Sequence, residues 1–361
     1  MILTCRVVKL PCEKENAIQS NSDGLEVKLM PTKEDLRYFQ SLPLDIKVAM
    51  TQTRLREWIN HFGEDGVYIS FSGGKDSTVL LHIARQIYPD IKAVFVDTGL
   101  EYPEIKQFVK TFENVDIVRP NITFKQVICK YGYPMLSKEI AHKIYYYSKG
   151  SSWVQQFVNP EYKSRYSITR WLQIADLDFV VNDYCCGVMK KSPSKQYGNQ
   201  TARNSITAQM ADESNLRTQQ WLRNGCNAFD CKRPISNPMS FWTEQDVLKY
   251  IKENNIPIAS VYGDIVYEDL DGQTRLEGCG KLCTTGCHRT GCIFCGFGAH
   301  LEKGEGRFER LKRTHPKLYE YCMGGGAYGD DGIWRPDNRG LGMAHVIDEL
   351  CRLYGKDFIK Y

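Results

Sequence analysis

Residues Ser70 to Thr78, Ser-Phe-Ser-Gly-Gly-Lys-Asp-Ser-Thr, hold the chain's clearest chemistry. Gly73 and Gly74 let backbone amides approach an oxyanion closely, Lys75 adds a point charge, and Ser72, Ser77 and Thr78 add hydroxyl donors. The apolar, β-branched stretch Gly66–Ser72 reads as a central strand, and the residues from Ser77 continue with helical periodicity. A helix starting near Lys75 would aim its unpaired N–H groups and positive dipole end at a phosphate. This is not a Walker A loop, which needs a glycine five residues before the Gly74-Lys75 pair, where Ile69 stands. A tight turn would explain the glycines but not two serines, a lysine and an aspartate at these offsets.

A second set of reactive residues is thiol. The chain has 14 cysteines in 361 residues. The start of the chain lacks a signal-peptide apolar core and no apolar run reaches membrane-spanning length, so a cytoplasmic location is expected and no membrane partner. In that reducing setting, metal or redox roles outrank a disulfide framework. Cys185 and Cys186 are adjacent, and Cys292 and Cys295 are spaced so that one turn can present both to a metal. Four thiolates suit a four-iron cluster or a tetrahedral zinc, and adjacent cysteines favour the cluster. Cys279, Cys283, Cys287 and His288 offer a second metal site or spare thiols, while Cys5, Cys12 and Cys129 read as inert.

These groups need a scaffold. Apolar positions from Leu44 to Phe62 suit one helix face, Ile91–Val96 and Val115–Val118 read as further strands, and helical stretches lie between them. Strand, helix, strand at this spacing predicts an α/β fold with a doubly wound parallel sheet, whose ligands sit at the carboxyl ends of the strands. Asp97-Thr98-Gly99 falls at such an end, as does the glycine loop. Asn204–Met210 reads as another strand, and Asn237–Ile251 as a helical stretch with Thr243 as N-cap. We divide the chain into an extension (1–40, with a turn-like Asn21-Ser-Asp-Gly24), a nucleotide-binding α/β domain (41–270) with a helical insertion, and a cysteine-rich, cluster-binding and helical C-terminal region (271–361).

The composition, 42% hydrophobic and 25% charged with net charge +4, is that of a soluble globular protein and does not point to nucleic acid. Residues 130–175 interleave aromatics, among them Tyr131, Tyr145, Tyr146, Trp153 and Tyr162, with Lys138, Lys143, Lys163 and Arg165. We read them as packing in preference to a nucleic-acid groove. The basic run from Arg307 reads as a solvated helix face.

The loop resembles the PP-loop of the N-type ATP pyrophosphatases, and Asp97-Thr-Gly-Leu-Glu-Tyr-Pro-Glu104 narrows the resemblance to the phosphoadenosine phosphosulfate (PAPS) reductase family. The resemblance covers roughly residues 44 to 300. It implies that Asp97, Thr98, Gly99 and Glu104 lie beside an adenine nucleotide. It also implies that Glu213, Ser214 and Arg217 grip the nucleotide's substituents, although Ala208 and Met210 stand where the family has glycine and arginine. Cys185-Cys186, followed by Lys190 and Pro193, resembles the cluster-binding segment of reductases that carry a 4Fe-4S cluster, whose remaining ligands come from a later Cys-x-x-Cys.

Two activities compete on this resemblance. In sulfonucleotide reduction a cysteine thiolate attacks the sulfur of adenylyl (APS) or phosphoadenylyl sulfate (PAPS), and thioredoxin or another donor then releases sulfite. The family's C-terminal Glu-Cys-Gly-x-His is replaced here by Glu349-Leu-Cys351-Arg, leaving Cys351 as the nucleophile candidate. In the alternative, the loop binds ATP with magnesium and activates an acceptor, tRNA or DNA, for thiolation. Lys75 and Asp76 are the catalytic candidates of the loop. A non-catalytic nucleotide-binding protein with a structural metal site is the third class.

Overall fold

The computed structural model describes residues 18–20, 26–28, 31–159, 166–268 and 280–361. Asn21-Ser-Asp-Gly24, Cys5, Cys12, Tyr162, Lys163, Arg165 and Cys279 lie outside the described residues.

Helix α1 (Leu44–Phe62) buries Met50, Leu55, Trp58 and Ile59 and leads into strand β1 (Val67–Ser70). Val67, Tyr68 and Ile69 are all buried, the pattern of a strand covered on both faces. Helix α2 (Lys75–Ile87), strand β2 (Ala93–Val96), helix α3 (Pro103–Val109) and strand β3 (Val115–Val118) follow. After strand β4 (Asn204–Ile206) come helix α4 (Asn215–Asn224), strands β5 (Asn227–Ala228) and β6 (Ile235–Ser236), and helix α5 (Glu244–Glu253). The six strands form one sheet in the order β3-β2-β1-β4-β6-β5. The pairs β1–β2, β1–β4 and β4–β6 are parallel, with Ile69 opposite both Ala93 and Ile206, and edge strand β5 runs antiparallel to β6. The expected doubly wound α/β sheet is therefore present.

One expectation differs in extent. The strand from Asn204 stops at Ile206, and the chain turns into a short 3-10 segment (Ala211–Glu213) at which the Met210 amide donates to Glu213 Oε1 at 3.0 Å. The helix expected with Thr243 as N-cap begins at Glu244, where Thr243 closes a reciprocal cap with Asp246.

The described residues form two compact units that interleave along the sequence. The first takes the described residues of 1–95, 104–117 and 198–289; the second, those of 96–103, 118–197 and 290–361. In the second unit the aromatics of 130–175 pack on one another. Tyr146 and Tyr184 hydroxyls meet at 2.8 Å, and buried Lys143 lies 4.0 Å from the Phe157 ring while donating to Glu139 and Tyr166 O. Among the described residues no helix is long and apolar enough to cross a membrane.

Candidate functional site

In the first unit, the loop between β1 and α2 is built around one glycine. Gly73 has φ +69°, and a Cβ there would lie 2.7 Å from Val109 Cγ2 and 2.8 Å from Ile105 Cγ2, so only glycine fits. Gly74 is the N-cap of α2 and provides no side-chain cap of its own. The loop's hydroxyls hydrogen-bond within the loop. Ser77 Oγ and Thr78 Oγ1 both donate to Gly74 O at 3.0 Å, and Ser77 Oγ accepts from the Ser72 amide at 3.1 Å.

Lys75 is only 2% exposed, yet its ammonium is paired with Glu244 Oε1 at 3.0 Å and Asp76 Oδ1 at 3.5 Å. Burial works to lower its pKa, but the two carboxylates more than offset this and hold it above the ordinary lysine value. Lys75 is thus a protonated, buried cation. For Asp76, burial outweighs the nearby ammonium and raises the pKa; its Oδ1 is covered and makes no hydrogen bond. Glu213 and Arg289 also act on Asp76 electrostatically, the first raising and the second lowering its pKa.

The neighbouring segment carries its own pairing. Ser214 caps α4, accepting from the Arg217 amide at 3.4 Å, and Arg217 is ion-paired to Glu213. Met210 is buried, so the position that resembles the family's arginine offers no anion contact. Glu104 lies in the first turn of α3. Sequence reasoning missed Glu244, Tyr262 and Arg289. Tyr262, buried on a 3-10 turn, accepts a hydrogen bond from the Lys75 amide at 3.3 Å.

The second unit gathers the thiols. Cys185, Cys186, Cys292 and Cys295 line one pocket together with Leu100, Phe124, Pro134, Met189 and Lys190. The Cys185 and Cys186 sulfurs lie 4.0 Å apart, and a π-helical turn (Gly187–Lys191) follows them, a distortion frequent at functional sites. Cys292 and Cys295 share a turn closed by the Cys295 amide on Cys292 O at 3.1 Å. The Asp97–Gly99 turn belongs to this unit. The Ile293 amide donates to Leu100 O at 2.8 Å, Asp97 is paired with Arg119, and Thr98 hydrogen-bonds Glu101.

The four thiols sit in unlike electrostatic settings. The hydrogen bond from Cys185 and the charges of Lys138 and Lys190 overcome burial to bring Cys186 down to about 5, whereas the same hydrogen bond drives Cys185 upward. Burial pushes Cys292 up to about 11 against the pull of Lys190. Desolvation of the Lys190 ammonium is more than offset by Cys292 and Glu101, which hold its pKa above the ordinary value. Among the described residues no three His, Cys, Asp or Glu side chains converge closely enough for one metal ion. By donor chemistry, four thiolates suit either a tetrahedral zinc or an iron-sulfur cluster.

Cys351 lies on helix α6 (Met343–Tyr354), where its thiol donates to Ile359 O at 3.6 Å, and it does not line this pocket. Cys283 and Cys287 fall in the first unit, Cys283 beside Glu268 and Cys287 buried.

Residues 66–139 and 154–296 match the phosphoadenosine phosphosulfate reductase domain, more than half of the chain. The chain belongs to that family. Among relatives of this family member, the adenosine 5'-phosphosulfate reductase of Staphylococcus haemolyticus is 24% identical, over 57% of this chain and 69% of that protein. An uncharacterized protein of Methanocaldococcus jannaschii is 23% identical over 69% of this chain, which spans 45% of that protein's length. The solved PAPS reductase of Candida auris, in a phosphate complex, aligns over 64% of this chain and 91% of its own at 15% identity and a TM-score of 0.35.

Proposed function

We propose that this family member binds an adenine nucleotide at the Ser70–Thr78 loop and carries a 4Fe-4S cluster in the Cys185, Cys186, Cys292 and Cys295 pocket, for sulfonucleotide reduction or sulfur transfer. The observation that carries the reading is the meeting of two cysteine pairs, more than a hundred residues apart in sequence, in one pocket lined by Lys190. A bound cluster would supply an anionic, redox-capable centre, for which the positive charges of Lys138 and Lys190 are suited. In the loop, the buried Lys75 ammonium and the start of α2 bind and orient the phosphate group, with magnesium where the nucleotide is ATP. A thioredoxin-like thiol donor supplies the two electrons if the substrate is APS or PAPS. Cys351, paired with a backbone carbonyl, is the weakest member of the candidate set.

One observation favours ATP as the nucleotide. Two carboxylates, Asp76 and Glu244, act on the buried ammonium of Lys75, a balance better suited to a metal-chelated triphosphate than to a metal-free sulfonucleotide.

The test is anaerobic purification with iron and zinc assays, followed by parallel measurements of ATP-dependent pyrophosphate release and thiol-dependent sulfite release from APS and PAPS. We expect about four irons per chain and their loss in Cys292→Ser. Zinc without iron would sink the cluster assignment. Lys75→Ala is expected to weaken nucleotide binding at least tenfold, the scale of one charged hydrogen bond.

A further inference from the structure

A phosphate-binding loop faces a difficulty when no phosphate is present, because its inward-facing donors are then buried without partners. Here those donors are satisfied by the protein itself. The Lys75 ammonium is held by Glu244 Oε1 at 3.0 Å, and the Lys75 amide donates to the Tyr262 hydroxyl at 3.3 Å. The Gly74 amide turns to Ser72 Oγ at 3.3 Å. We propose that Glu244 and Tyr262 are an internal stand-in for the nucleotide phosphate, occupying the loop's donors until the ligand displaces them. This rests on the nucleotide reading above.

Three observations support the displacement. Glu244 is not needed to cap its own helix, since Thr243 and Asp246 close that cap reciprocally. Its side chain is 36% exposed, so the carboxylate can turn into solvent, whereas Asp76 Oδ1 is fully covered. The Lys75–Tyr262 hydrogen bond, at 3.3 Å, is longer than the usual ~2.9–3.0 Å and so is readily exchanged for a bond to a charged oxygen. Tyr262 is nevertheless held in place: its carbonyl accepts from the Gly286 amide at 2.8 Å, and Val261 O accepts from the Cys287 amide at 2.9 Å. With Asp76 and Glu244 both on one ammonium, an entering phosphate dianion meets like charge until Glu244 leaves.

The test is titration calorimetry of the full chain with ATP plus magnesium and with APS, comparing wild type, Glu244→Gln, Glu244→Ala, Tyr262→Phe and Lys75→Ala, each checked by thermal melting. Removing a competitor makes binding tighter, an effect that a merely structural role does not produce. Both Glu244 variants should bind about tenfold more tightly and Tyr262→Phe about threefold, while Lys75→Ala loses binding. Unchanged or weaker binding by both Glu244 variants, with Lys75→Ala still impaired, overturns the stand-in and leaves the nucleotide reading standing. If the wild type binds neither nucleotide, or Lys75→Ala binds as well as wild type, the nucleotide reading falls and the stand-in with it.

Discussion

At Gly73 the backbone adopts φ +69° against the side chains of Ile105 and Val109, so the loop's path and the packing of α3 depend on one missing Cβ. Gly73→Ala imposes both a left-handed backbone on a non-glycine residue and contacts below 3 Å. We expect a loss of about 2–4 kcal/mol in urea unfolding, together with weaker nucleotide binding. An unchanged denaturation midpoint would contradict this account. The adjacent Gly74, with φ −79°, has no such conformational need, so two glycines that look alike in the sequence differ in what they do. Among the hydroxyls, Ser77 and Thr78 share one internal acceptor, Gly74 O.

Among the elements, α5 positions the most. Its N-cap Thr243 donates to Asp246 Oδ2 at 2.7 Å and accepts from the Asp246 amide at 3.3 Å, and Asp246 is itself paired with buried Lys47 at 2.7 Å. This cap fixes the first turn, which delivers Glu244 to Lys75. Thr243→Ala should therefore cost about 1 kcal/mol of unfolding free energy with an unchanged denaturant slope, whereas Thr243→Ser should recover most of it. If Thr243→Ala were as stable as wild type, the cap would not be what holds this turn. The cap was legible in the sequence because Thr-x-x-Asp before an apolar periodicity has a local cause. The partnership of Glu244 with Lys75 was not, since nearly 170 residues separate them and only the packing of α5 beside α2 unites them.

For the molecule as a whole, acid should be destabilising through carboxylates whose pKa values are lowered in the folded state. Hydrogen bonding to Arg335 holds Asp331 at about 2. Partial burial works to raise Asp178, but hydrogen bonds from Tyr328 and His345 prevail and lower it. Both lie below the unfolded value of about 3.9. Their stabilisation is therefore fully present above that pH and lost as pH falls through the folded values. The melting temperature should drop between about pH 4 and pH 2, and Asp178→Asn should make the profile shallower. An Asp178→Asn profile as steep as that of wild type would show that this carboxylate has no part in the acid response.

The sequence by itself determined the parts whose causes are local or periodic. Strand β1, the loop, α2, the alternation that makes a parallel sheet and the two cysteine pairs follow from side-chain pattern, glycine placement and thiol spacing. Only the tertiary structure decided which distant groups meet. It brought Cys185 and Cys186 into one pocket with Cys292 and Cys295, as their chemistry suggested, and tied the Asp97–Gly99 turn to that cysteine segment through Leu100 and Ile293. It also left Cys351 hydrogen-bonded to Ile359 O, outside the pocket. The Ser70–Thr78 loop gains neighbours that no local pattern specifies, Glu244 and Tyr262, because long-range packing and the burial of one lysine select them.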